Sequence, residues 1–255
     1  MSRLGFRARA AVFLRAFAVQ GTWNYRTLIG AGFAFALLPA LRVIHRGDEG
    51  RLKEALGRHA EVFNSHPYLA PIALGAVAEL EATGEDPRLI ERGKAALRGS
   101  LGTLGDQVVW VGWRPVCLLL AIVLILAGAP WWLGVGGFLL VYNIGHLALR
   151  VWRFRLGLAD PLRIGERLRA APISRAPRVL ARAGAFLLGL ALPAVVIGTP
   201  LWSAGFGAIG VSWPWMIAAA AAAGLGIRFG ARVREAVILA LLAVVVLGTL
   251  YNLLA

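Results

Sequence analysis

The feature that most constrains this chain is a series of apolar runs in its second half: Pro115 to Gly128, Trp131 to Leu149, Ala183 to Pro200, Ile209 to Ile227 and Ala236 to Leu254. Crossing the hydrocarbon core of a bilayer takes roughly 20 apolar residues of helix. Four of the runs approach that length, and the first is short, so its ends are soft. Composition agrees: 59% of the 255 residues are hydrophobic and 16% charged, with a mean hydropathy of +0.71. Soluble domains average about 45 to 50% apolar and about 25% charged. The chain is expected to be an integral membrane protein.

Charge is distributed unevenly between the runs. The net charge is +14 and comes mostly from arginine. Nine arginines fall between Arg150 and Arg182 against Asp160 and Glu166, and Arg228, Arg232 and Arg234 cluster in a second connection. The turn at "APWW" and the stretch from Thr199 to Trp215 carry no charge. Positive loops stay inside, which predicts cytoplasmic basic loops, outward uncharged turns and a C-terminus outside. Trp131, Trp132, Trp202, Trp213 and Trp215 then fall in an aromatic belt at the outer interface. With apolar runs this long, the basic balance points to a membrane surface rather than to nucleic acid.

The first 113 residues read differently. Phe6, Phe13 and Phe17 share one helical face, as in a helix lying in the interface. Arg15 interrupts the apolar stretch there and no A-x-A site follows, so no cleaved signal peptide is expected. "TLIGAGFAFALLPALRVI" is broken by Gly30, Gly32 and Pro39, which suggests re-entrant or broken helices, and these survive at membrane depth only when buried or lining a wet cavity. "EGRLKEALGRHAEVF" and "EATGEDPRLIERGKAALR" have mixed charge at helical spacing and predict cytoplasmic helices, the second with a Gly/Asp/Pro break. The lone Cys117 reads as a packed thiol. The expected fold is an all-α integral membrane protein of one unit: an interfacial and re-entrant region over 1–113, then about five transmembrane helices over 114–255 with a basic cytoplasmic loop at 150–182.

Several polar groups could carry function. In "GSLGTLGDQVVW", glycines 99, 102 and 105 precede Asp106. Glycines can break a helix and expose backbone to a polar substrate, with Asp106 lining the path. Alternatively they allow close helix packing while Asp106 caps the helix that follows. In "QGTWNY", Gln20, Trp23 and Asn24 combine amides with an aromatic face, which suits a sugar or an interfacial anchor. "RHAEVFNSHP" contains His59, Glu61, Asn64 and His66, a weak metal pattern that also reads as a helix end and turn. His146, near the inner end of a predicted span, reads as a packing residue. Arg153, Arg155, Arg163 and Arg167 are topology determinants by default, or a dock for an acidic cytoplasmic partner or anionic lipid. The chain has no P-loop, dinucleotide fingerprint, H-E-x-x-H or nucleophile elbow, so no catalytic residue, metal or cofactor is expected.

Taken in order, "QGTWNY…GF…P" (20–39), "RHAEVFNSHP" (58–67), "LGAVAELE" (74–81) and "GKAALRGSLGTLGDQVVWVGWRPV" (93–116) resemble the IID subunit of mannose/fructose/sorbose-family sugar phosphotransferase systems. The resemblance implies a non-catalytic subunit of the bacterial inner membrane that forms a sugar channel with a IIC subunit. It also implies cytoplasmic IIB and IIA phosphocarriers, a hexose-type sugar and a hetero-oligomer. By motif position it makes Gln20, Trp23, Asn24, Asn64, His66, Gly105 and Asp106 family-motif residues. The chain departs from the family pattern at Arg26 and Thr27, where Glu-Arg is usual, and at Arg98 and Ser100, where Met and Pro are usual. Those departures leave a second expectation open: a scaffold or regulatory relative that docks cytoplasmic partners without transport.

Overall fold

The computed structural model describes residues 4–198 and five isolated helical positions, 221, 235, 238, 242 and 246. The predicted spans at 209–227 and 236–254, Trp202, Trp213 and Trp215, and the arginines at 228, 232 and 234 lie outside the described residues. Nine α-helices are described: α1 (Phe6–Arg15), α2 (Gly30–Ile44), α3 (Glu49–Ala60), α4 (Ala70–Thr83), α5 (Pro87–Gly105), α6 (Arg114–Leu126), α7 (Trp131–Ala159), α8 (Ile164–Ala170) and α9 (Ala176–Gly198). No strand longer than an isolated bridge occurs among the described residues.

The helix limits have local causes. The Asp48 carboxylate accepts the Arg51 N–H at 2.9 Å and opens α3, whose last turn carries Arg58, a cation favourable to the negative end of the helix dipole. Gly84, at φ 78°, closes α4, because only glycine adopts the left-handed region without cost. Asp86 then accepts the Arg88 N–H at 2.9 Å, with Pro87 in the first turn of α5.

The chain forms two compact units. The first contains the described residues up to Gln107 together with Ile144–Ser174. Here α1 packs along α2, and α2 along α3 and α4. Helix α4 is buried on nearly every side, which is why its sequence lacks a polar face. Its Gly75 meets Gly157 of α7 at backbone distance: a Cβ on Gly75 would stand 2.6 Å from the Phe154 carbonyl oxygen, and one on Gly157 would collide with that of Ile72. Small residues allow this approach.

The second unit holds Val108–Asn143 and the described residues from Arg175 onward, in which α6 packs along α9. Gly128, at φ 96°, turns the chain between α6 and α7, where the Ala129 N–H reaches the Leu124 carbonyl at 3.0 Å. Leu118, Leu124, Trp131, Trp132 and Leu140 of this unit are exposed, and apolar area of this extent calls for a membrane or a partner.

Two sequence expectations give way. Residues 30–44 form one unbroken helix in spite of Gly30, Gly32 and Pro39. The glycines serve close approach instead, since a Cβ on Gly30 would strike the Glu61 carbonyl and one on Gly32 that of Val19. The expected break at Gly99 is absent as well. Helix runs from Pro87 to Leu126, changing only to π winding over Asp106–Trp113. Ser100 stands where proline would remove an N–H and clash with the preceding turn, so α5 continues. Pro87–Leu126 and Trp131–Ala159 are long and apolar enough to cross a membrane.

Gly157→Ala should lower the stability of the purified chain in detergent by about 1–3 kcal/mol, because the added methyl has no space against α4. Gly136→Ala, on the same helix and facing open space, should be neutral or slightly stabilising in the same melting experiment.

Candidate functional site

One buried carboxylate anchors the helix end from which the "RHAEVFNSHP" loop leaves. Glu81, the last acid of α4, accepts hydrogen bonds at Oε1 from Arg58 Nη2 at 2.7 Å and from His59 Nε2 at 2.8 Å. His45 Nε2 lies 3.7 Å from Oε2. Burial pushes the Glu81 carboxyl up, but the hydrogen bonds from His59 and Arg58 outweigh it and hold the group at about 2. Burial drives the His59 pKa down, with Lys94 and Arg58 adding to it and the bond to Glu81 opposing it. His59 is therefore a neutral imidazole whose Nε2–H donates to an ionised carboxylate. The adjacent Lys94 ammonium donates to the carbonyls of Arg58 and His59 at 3.3 and 3.1 Å and faces the rings of Phe33 and Phe63.

This knot fixes the end of α3, and the motif loop leaves from it. Phe63 is fully buried against Phe33, with ring centroids 4.5 Å apart. Its N–H donates to the Thr27 carbonyl at 3.2 Å, and its carbonyl accepts from Ile29 at 3.1 Å. Asn64 then projects to the exterior beside Gly102, and His66 turns inward onto Gly105, where any Cβ would overlap the imidazole. His66 Nδ1 accepts the Tyr68 N–H at 3.1 Å, which assigns the ring proton to Nε2. Burial first, then the nearby Arg150 and Arg153, lowers its pKa to about 4. Asn64, His66, Gly102 and Gly105 thus converge.

Asp106 follows directly. It has helical dihedrals and an exposed carboxylate, so it does not cap the start of a helix. It opens the π segment, a winding often found at functional sites.

The "QGTWNY" loop has a different role for its amide. Asn24 Oδ1 accepts from the Arg26 and Thr27 N–H groups at 3.0 and 2.9 Å, while Nδ2 donates to the Thr22 carbonyl at 3.1 Å and Thr27 Oγ1 at 2.8 Å. The side chain shapes its own turn, including Leu28 at φ 54°. Gln20, Trp23 and Tyr25 remain exposed, with the two rings edge to face at 4.9 Å. Thr27 is a departure from the family pattern that this turn uses. Arg98, another departure, reaches the Val62 carbonyl at 3.5 Å, and Ser100 bonds back to Ala96 and Leu97 within α5.

Helix α7 braces the same loop. Arg150 donates to the Ala16 carbonyl at 3.1 Å and lies between the rings of Phe17 and Tyr68, while Tyr68 stacks on His146 at 4.4 Å. His146 is a packing residue, as expected. Arg153 is not placed for docking a soluble partner. It is fully buried, makes no hydrogen bond among the described residues, and lies 5.1 Å from the Trp152 ring. Arg155, Arg163 and Arg167 are exposed, the last two paired with Glu166 and Asp160. His59 and His66 face different partners, and no group of three metal-ligating side chains forms among the described residues.

Fold and motif geometry define a helical membrane protein organised around a buried ionic knot. Residues 4–254 match the family model described as the PTS system mannose/fructose/sorbose family IID component, and the chain belongs to that family. It is 29% identical over 183 residues to the mannose-specific EIID component of Escherichia coli K12, covering 70% of this chain and 64% of that relative. The fructose permease IID component of Bacillus subtilis is 27% identical over 187 residues, covering 70% of this chain and 66% of the relative. A cryo-electron microscopy structure of the mannose transporter ManYZ with microcin E492 contains a similar chain, at TM-score 0.59 and 28% identity, covering 77% of this chain and 72% of that one.

Both histidines and Glu81 destabilise the fold as acid is added. The native pKa values of His59 and His66 lie below the ordinary 6.5, so the unfolded chain gains protons first as pH falls below 6.5. Glu81 adds stability that is present above 4.5 and lost as pH falls toward 2. The detergent melting temperature should therefore drop steadily from pH 7 to pH 4. His66→Gln should flatten the part of that drop between 6.5 and 4, as checked by melts at half-unit intervals.

Proposed function

We infer that this chain is the membrane subunit of a phosphoenolpyruvate-dependent sugar phosphotransferase permease. In this reading it forms the translocation channel with a IIC subunit, while cytoplasmic IIB and IIA domains carry the phosphoryl group to a hexose-type sugar. The chain itself supplies no phosphorylated or catalytic residue. It lies in the bacterial inner membrane as part of a hetero-oligomer, with basic loops cytoplasmic and its C-terminus outside.

The observation that carries the reading is the family match over residues 4–254 together with the placement of Asn64 and Asp106. Both are exposed polar groups beside the buried His66–Gly105 contact, and an amide with a carboxylate can satisfy the donors and acceptors of a sugar. Asn24, saturated by its own turn, acts as a support for Trp23 and Tyr25.

The test is phosphoenolpyruvate-driven hexose uptake in cells expressing this chain with IIC, IIB and IIA. Asn64→Ala and Asp106→Asn should each lower uptake by about tenfold, the loss of about 1.4 kcal/mol of interaction, while the purified complex keeps its composition. If both variants leave uptake and assembly unchanged, the pathway role fails. Assembly without any flux in the unmodified chain would favour the scaffold.

A further inference from the structure

A cavity of about 570 Å³ lies within the first unit, walled by α4, α5 and the segment Pro161–Ser174. Its lining is mainly apolar: Leu80, Leu97, Leu104, Ile164 and Leu168 are among the contributors, and no carboxylate is among the described residues that line it. The volume falls within the roughly 300–1,000 Å³ of ordinary ligand sites.

Three features bear on what fills it. The first is position. Helix α7, one of the two described helices long and apolar enough to cross a membrane, ends at Ala159, and Pro161 and Leu162 of the cavity wall follow at once. The cavity thus lies just beyond the end of a candidate span. The second is the amphipathicity of α8, whose Ile164 and Leu168 are buried while Arg163, Arg167 and Arg169 are exposed. A short basic segment of this kind suits a membrane interface. The third is charge. Arg163 and Arg167 have acidic partners, but Arg169, which lines the cavity, has none among the described residues. Lys94 is the other cation of the wall, with its ammonium already held by two carbonyls.

We propose that this cavity binds one acidic phospholipid, with acyl chain against Leu80, Leu97, Leu104 and Leu168 and the headgroup phosphate on Arg169. An apolar pocket opening onto an unpaired guanidinium matches an anionic amphiphile, whose phosphate and chain are chemically opposed in the same way. The absence of any lining carboxylate favours a headgroup of net negative charge over a zwitterion. The inference does not depend on transport and stands whichever sugar the complex carries.

The experiment is native mass spectrometry of the full chain released from bicelles of equal phosphatidylglycerol and phosphatidylcholine. One retained phosphatidylglycerol per chain is expected, with at least about a tenfold preference over phosphatidylcholine, equivalent to about 1.4 kcal/mol. Arg169→Glu alters an exposed side chain and should abolish the preference while leaving the melting temperature of the lipid-free chain unchanged. A second variant, Leu104→Gln, should reduce retention of both lipids. Millimolar inorganic phosphate should not displace the lipid, because the chain supplies most of the contact. The proposal is overturned if no lipid is retained, if both lipids are retained equally, if Arg169→Glu leaves the preference intact, or if phosphate alone competes.

Discussion

The Glu81 carboxylate is the interaction on which the first unit depends. A buried charge is tolerated only when paired and hydrogen-bonded, and here one oxygen takes both Arg58 and His59 from a single helix end. Removing one partner of such a pair costs about 3–5 kcal/mol, because the other charge is left buried. The knot therefore ties α3 to the otherwise apolar α4, and its backbone carbonyls recruit Lys94 from α5. Three helices meet at a point where hydrophobic packing alone would leave their register loosely specified.

From that anchor the motif loop follows with little freedom. Phe63 is pinned by Phe33 and by two backbone bonds to the "QGTWNY" turn, and His66 is bedded on Gly105. Asn64 lies between two fixed neighbours and is presented outward as a consequence. Arg150, Tyr68 and His146 brace the other side through ring contacts. The family motifs thus divide between buried contacts, His66 on Gly105 among them, and side chains left exposed at Gln20, Trp23, Asn64 and Asp106.

The helical, membrane-embedded character of the chain was legible in its apolar runs, and α3, the Gly84 turn and the Asp86 start of α5 were legible in their capping residues. The family motifs marked Asn64, His66 and Gly105 as characteristic positions, but not that they meet. What could not be read was the use of the glycines. Gly30 and Gly32 carry the same letters whether they break a helix or admit a neighbouring backbone, and only the position of Glu61 and Val19 decides. The knot was missed for a related reason: Arg58, His59 and Glu81 are separated by about two dozen residues, and spacing gives no sign that they meet. Two carboxylates, Glu79 and Glu81, in the otherwise apolar "LGAVAELE" were the available signal. Arg153, taken for a docking cation from its basic neighbourhood, falls on the buried face of α7, which periodicity across a helix apolar on most sides does not reveal.

Hydrogen–deuterium exchange of the detergent-purified chain, comparing the native sequence with Glu81→Gln, tests the central claim most directly. If the carboxylate holds the motif loop, the amides of Phe63, Tyr68 and Leu69 should lose protection in the variant while those at the α6–α9 contact keep theirs. Unchanged protection over 61–69 in a folded Glu81→Gln chain would show that the loop is held by packing alone and would contradict the account.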